Sequence, residues 1–141
     1  MRIGISVNST YFGKNSRQGV RDILERVSAA SRSDLDSLFF GDHHVTRFTY
    51  FQNTPMLVRA LSEWGGKPAG ALYLLPLWNP VVLAEQIATL ASIATGRFVL
   101  QCGLGWSEAQ SNGLGVPYKE RGAMLETSLD VMRRLWSGES V

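Results

Sequence analysis

Little in this sequence could act as a covalent or metal staple. Its 141 residues include one cysteine, Cys102, which excludes an intrachain disulfide and any multi-cysteine metal site. Histidine is nearly as scarce, since the only two are adjacent, His43 and His44. Neither sign of charge dominates. Fourteen Lys and Arg against twelve Asp and Glu leave a formal +2, which gives no electrostatic basis for binding nucleic acid or an anionic membrane. The longest mostly apolar run, residues 69–77, is too short to cross a bilayer. The apolar stretch at residues 3–7 is too short for a signal peptide, so a soluble cytoplasmic protein is expected. There is no internal repeat and no low-complexity tract. What the chain does have is core-forming material, 45% hydrophobic residues, and fourteen glycines.

The apolar pattern alternates between short strands and longer helices. Ile3-Gly4-Ile5-Ser6-Val7 reads as a strand, and Val20, Ile23, Leu24 and Val27 recur at helical spacing after it. Leu38-Phe39-Phe40 is a second strand. Thr54 as N-cap and Pro55 at the first helical position predict a helix carrying Leu57, Val58, Leu61 and Trp64. Residues 69–75 form the third strand. Asn79-Pro80 starts the next helix, whose stripe is Leu83, Ile87, Leu90 and Ala94. Residues 97–102 form the fourth strand, running into Gly103-Leu104-Gly105. A loop with Gly113, Gly115 and Pro117 then leads to a helix bearing Leu125, Leu129, Met132 and Leu135. Four strand–helix units of about thirty residues imply a parallel sheet covered by helices. The nearly continuous apolar strands suggest burial on both faces. Two architectures fit, a doubly wound open sheet and part of an eight-fold barrel. Both place chemistry at the C-terminal ends of the strands.

The most polar of those ends is Asp42-His43-His44. Histidine changes protonation near neutral pH, so one of the pair suits an acid, base or donor role, and neighbouring residues after a strand point different ways. The competing reading is a hydrogen-bonded cluster that pins the loop. A metal site is not expected, because the three residues are contiguous and no second cluster adds ligands. Gly103-Leu104-Gly105 suggests a dinucleotide loop, but Glu108 occupies the third glycine position and no helix is expected to start promptly there. Cys102 reads as a small buried core residue. Trp78 and Trp106 follow strand ends and are candidate pocket walls, whereas Trp64 and Trp136 lie on helix stripes. Arg97 and Arg121 read as partners in structural ion pairs.

From Leu75-Pro76-Leu77-Trp78-Asn79-Pro80 onward, through Thr95-Gly96-Arg97-Phe98, Gly103-Leu104-Gly105-Trp106, Glu120-Arg121-Gly122 and Arg134-Leu135-Trp136-Ser137-Gly138, the chain resembles the bacterial luciferase-like monooxygenase family. Asp42-His43-His44 resembles it as well. The resemblance implies an α/β fold made of the first four βα units of a (β/α)8 TIM-type barrel, with residues 1–141 as its N-terminal half. It implies a flavin-dependent oxidoreductase that oxidises a small organic substrate, either with reduced FMN and oxygen or by hydride transfer with the deazaflavin coenzyme F-420. His43, with Asp42 beside it, matches the family's histidine near the flavin ring. Ala71, Leu72 and Tyr73 match a bulge that backs the ring, often through a non-proline cis peptide, and Gly103, Gly105 and Trp106 match a pocket-lining segment. The expected partners are the flavin, a small-molecule substrate and a flavin reductase that supplies reduced cofactor. The rival expectation is an inactive half-barrel that only binds flavin, or that self-associates as a homodimer through open strand edges.

Overall fold

The computed structural model describes residues 1–13 and 15–141. Four strands, β1 (Gly4–Val7), β2 (Ser37–Phe40), β3 (Ala69–Leu74) and β4 (Phe98–Gly103), pair in parallel in the order β1-β2-β3-β4. Between and after them run α1 (Ser16–Ser31), α2 (Asn53–Trp64), α3 (Pro80–Ile93), a short α4 (Glu108–Gly113) and α5 (Arg121–Trp136). A doubly wound sheet reverses its strand order at a switch point. This sheet does not reverse, so it has the layout of a barrel wall.

Period two along each strand sends alternate side chains to opposite faces. Val7, Leu38, Phe40, Ala71 and Tyr73 turn toward the helices and join Ile23, Val27, Leu57, Trp64, Leu83, Leu90 and Met132 in one buried cluster. On the other face Phe39 and Leu72 are half-buried, and Ser6 and Gln101 are exposed. Burial on both faces, which the apolar runs suggested, is therefore not what the chain achieves: helices cover one face only. The strands nevertheless approach closely. At Gly70 an added Cβ would collide with the Val99 carbonyl oxygen on β4, so only glycine fits there.

Most helix ends follow their sequence signals. Asn79 Oδ1 accepts from the Val81 and Val82 amides, and Gly65 closes α2 at φ 74°. Two expectations are corrected. Thr54 does not cap α2, which begins at Asn53 after Gln52; the Thr54 hydroxyl instead pairs with Tyr73 Oη at 2.7 Å and with Gln86 Oε1 at 3.0 Å. The stretch read as a loop after β4 contains α4, where Ser107 Oγ accepts from the Gln110 amide. No helix among the described residues is long and apolar enough to cross a membrane.

Candidate functional site

The C-terminal end of β2 opens into Gly41-Asp42-His43-His44, and its three polar side chains separate at once. Asp42 turns inward and is 2% exposed. Its Oδ2 accepts from the Leu74 amide at 3.0 Å and from Trp78 Nε1 at 2.7 Å, which ties the end of β2 to the end of β3. Its Oδ1 lies 2.9 Å from His44 Nε2, close but off the line of a hydrogen bond. His44 packs edge-on against Trp78, and Trp78 packs edge-on against Tyr73. Asp42 and His44 thus form a cluster that pins the loop, and Trp78 belongs to it and not to the cleft lining.

His43 points the other way. Its ring lies 4.2 Å from the Tyr50 ring, centroid to centroid, and lines a cleft of about 550 Å³. That volume is ordinary for a small-molecule site. The remaining walls come from the loop after β1 (Asn8, Thr10, Phe12), the loop after β2 (Val45, Arg47, Phe48, Tyr50) and the segment after β4 (Trp106, Gln110). The first two loops are stitched together by a Thr10–Tyr50 bridge, a Tyr11–Thr49 pair and the stacked rings of Tyr11 and Phe51. Partial burial against these neighbours lowers the His43 pKa from 6.5, with Asp42 pulling it up and His44 pushing it further down. The outer edge of His43 stays exposed, so neutral imidazole is presented to the cleft at neutral pH.

Of the other residues singled out, Trp106 reaches the cleft and is 84% exposed. Ala71 and Tyr73 do not reach it with their side chains, which lie in the helix-facing core, and burial pushes the Tyr73 hydroxyl up to about 12. Only Leu72 of that trio turns to the uncovered face, and among the described residues no peptide bond is cis. Gly103 lies outside the cleft lining, packed so closely that an added Cβ would sit 3.0 Å from Leu74 Cδ2 and 3.3 Å from Leu72 Cδ1. Gly105 serves a turn at φ 73°. Cys102 is exposed rather than buried, and shelter of its thiol pushes the pKa up, away from a reactive thiolate. Among the described residues Arg121 forms no ion pair. It donates to the Gly105 and Tyr118 carbonyls and stacks over the Tyr118 ring at 3.7 Å, bracing the segment after β4.

Several residues of the site carry no signal in the sequence. Tyr50, Phe12 and Phe48 lie in loops without periodicity. Gln110, which donates to the His44 carbonyl at 2.8 Å, sits 66 residues from its partner. Val45 adopts φ 48°, the one positive φ among the described non-glycine residues, a conformation costing roughly 1–3 kcal/mol for a β-branched side chain.

Comparison with known proteins agrees with this geometry. The family model of the luciferase-like monooxygenases matches residues 1–141. This chain belongs to that family. It is 27% identical over 152 residues to an F420-dependent glucose-6-phosphate dehydrogenase of Intrasporangium calvum, covering all of this chain and 44% of that protein. The oxygenating constituent of the Pseudomonas putida 3,6-diketocamphane monooxygenase, solved with FMN, superposes with TM-score 0.86 at 23% identity over 96% of this chain and 39% of that one. An F420-dependent secondary alcohol dehydrogenase in complex with an F420-acetone adduct gives TM-score 0.79 at 22% identity, over 96% and 42%. The chain thus spans about two-fifths of the length of these relatives. They are oxidoreductases that use either cofactor, and the barrel-wall reading of the sheet holds.

Proposed function

We propose that this chain supplies one wall of the cofactor and substrate cleft of a flavin-dependent oxidoreductase, with His43 as its proton-handling group. The observation that carries this reading is the placement of His43. It is a neutral imidazole at the C-terminal end of a parallel strand, facing an apolar cleft with aromatic walls. Such a group takes a proton from a substrate hydroxyl as the substrate is oxidised, or returns one to a reduced centre. A bound FMN or F-420 deazaflavin supplies the redox chemistry, and the protein supplies orientation and electrostatics. The residues present fit a flat, largely apolar ring. Trp106, Phe12 and Phe48 wall the cleft with aromatic faces on which such a ring can lie. Asp42 acts through His44, Trp78 and the Leu74 amide as a positioning residue and does not touch the cleft.

The test is cofactor titration and turnover in the protein that carries this chain. His43→Ala is expected to lower turnover at least ~100-fold, as loss of a general acid–base group does, with the fold unchanged. Turnover and cofactor affinity equal to those of the unsubstituted protein would remove His43 from the mechanism. A second reading, a self-associating flavin-binding module without catalysis, draws support from β1 and β4, each of which has a neighbour on one side only in this sheet. Size-exclusion chromatography with a flavin absorbance scan separates the two: a concentration-dependent dimer that binds flavin without turnover favours the module.

A further inference from the structure

We infer that Gln110, with the space left by Gly113, is a positioning clamp that holds the strained His44–Val45 turn and thereby aims His43 into the cleft. The inference rests on the reading above only in taking His43 as the working group.

Three observations meet at one peptide. Val45 sits at φ 48°, where a β-branched side chain is strained. Such a conformation persists only where its surroundings over-determine it, and strain of this kind collects at functional sites. The surroundings here are specific. Gln110, 7% exposed, donates Nε2 to the His44 carbonyl at 2.8 Å, which fixes the orientation of the peptide entering Val45. Across from it, α4 presents Gly113, where any Cβ would stand 2.9 Å from Val45 Cγ2 and 3.1 Å from Cγ1. The Val45 side chain, 55% exposed, thus lies over Gly113, and a side chain at residue 113 would press on it.

The clamp is itself anchored. Ser107 Oγ caps α4 at the Gln110 amide, the Val116 amide donates to the Ser111 carbonyl at 2.8 Å, and Arg121 and Tyr118 hold the carbonyls of Gly105 and Trp106. A line of contacts therefore runs from the start of α5, through the segment after β4, to the residue beside His43. If the clamp is released, Val45 can relax to an extended φ, and the His43 ring swings from Tyr50 toward solvent. The groups facing His43 are Asp42, His44 and Tyr50, with Arg47 in the same cleft. A substitution at residue 110 leaves all four of these side chains in the sequence and reaches His43 only through the His44 carbonyl.

The experiment follows the two histidine rings by NMR across a pH titration of this chain, with circular dichroism as a fold control. In the unsubstituted chain His43 is expected to titrate below the ordinary histidine range, with ring-to-ring contacts to Tyr50. Gln110→Leu removes the donor at similar volume. It is expected to move the His43 midpoint up toward that of free histidine and to weaken the Tyr50 contacts. Adding Val45→Gly, which adopts a positive φ without strain, is expected to restore both. A His43 midpoint and Tyr50 contacts unchanged in Gln110→Leu overturn the inference, as does a shift that Val45→Gly leaves uncorrected. Should Gln110→Leu fail to fold, Gly113→Ala decides: its Cβ presses on Val45 and is expected to shift the same His43 signals, and signals left in place overturn the inference. These readouts need no cofactor. A His43→Ala protein with full turnover would therefore sink the proposed function and leave the clamp standing, and the NMR result would do the reverse.

Discussion

The two ends of the sheet handle polarity in opposite ways. At the N-terminal end Lys67 Nζ donates to the carbonyls of Ser31, Ser33 and Leu35 at 2.9–3.3 Å and lies over the Trp64 ring, whose Nε1 donates to the Pro68 carbonyl. Asp36 accepts from the Ile3 amide at 2.6 Å. Each of these side chains finishes on main chain, and Lys67 and Asp36 tie one strand start to the next. At the C-terminal end Asp42 ties β2 to β3 and Gln110 ties the segment after β4 to the His44 carbonyl, while His43, Arg47, Phe48 and Trp106 turn to a cleft and Val45 holds a strained backbone. A parallel barrel wall puts its stability at one end and its chemistry at the other. Substitutions at the two ends should separate accordingly.

The largest effect is expected where the chemical end borrows a structural residue. Asp42→Ala leaves the Leu74 amide and Trp78 Nε1 buried without their acceptor and should cost about 3 kcal/mol in urea unfolding. If it costs less than about 1 kcal/mol, Asp42 is not the tie between β2 and β3. Lys67→Met comes next, at about 2 kcal/mol, because three carbonyls lose a charged donor. Its His43 titration should be indistinguishable from that of the unsubstituted chain; a shift there would mean that the two ends communicate. Tyr73→Phe should cost about 1 kcal/mol through loss of the Thr54 hydrogen bond. Tyr73 also predicts a late step in an ultraviolet titration of the folded protein, near pH 12. Its folded value lies above the unfolded 10, so its contribution to stability is complete below pH 10 and is lost as the pH rises through about 12.

The helix layer was largely legible in the sequence because periodicity reports burial, whereas the Lys67 and Asp36 ties at the structural end carry no local signal. Leu83, Ile87 and Leu90 recur every three or four residues because one helix face meets the sheet, and Asn79-Pro80 marks where that helix must start. The signal weakened at the chemical end. Residues 108–113 are six residues long and mostly polar, so α4 has no apolar stripe to announce it. Thr54 looks like a cap, but no local rule reports the Tyr73 hydroxyl that competes for it from a strand nineteen residues on. The histidine pair was visible as a motif. The opposite directions taken by its rings were set by Asp42 and Trp78 on one side and by Tyr50 on the other, contacts that only the fold brings together.

The smallest expected effect on stability is the sharpest test of the contrast. His43 keeps an exposed edge and makes one ring contact, so His43→Ala should change stability at pH 7 by no more than about 0.5 kcal/mol. The informative part is the dependence on pH. The folded pKa of His43 is lowered below the unfolded 6.5, so between the two values the unfolded chain binds the extra proton. The contribution of His43 is therefore complete above pH 6.5 and is lost as the pH falls through the folded value. His43→Ala deletes that acid limb, so relative to the unsubstituted chain the variant should gain slightly between neutral and mildly acidic pH. Urea unfolding at pH 7.5 and at pH 5 measures both. A gain at the lower pH means that the fold tolerates a neutral imidazole at some cost in order to present it, as expected of a group placed for chemistry. A uniform loss at both pH values would mean that His43 is held by packing like Lys67, and the division between the two ends would not extend to the residue that most defines it.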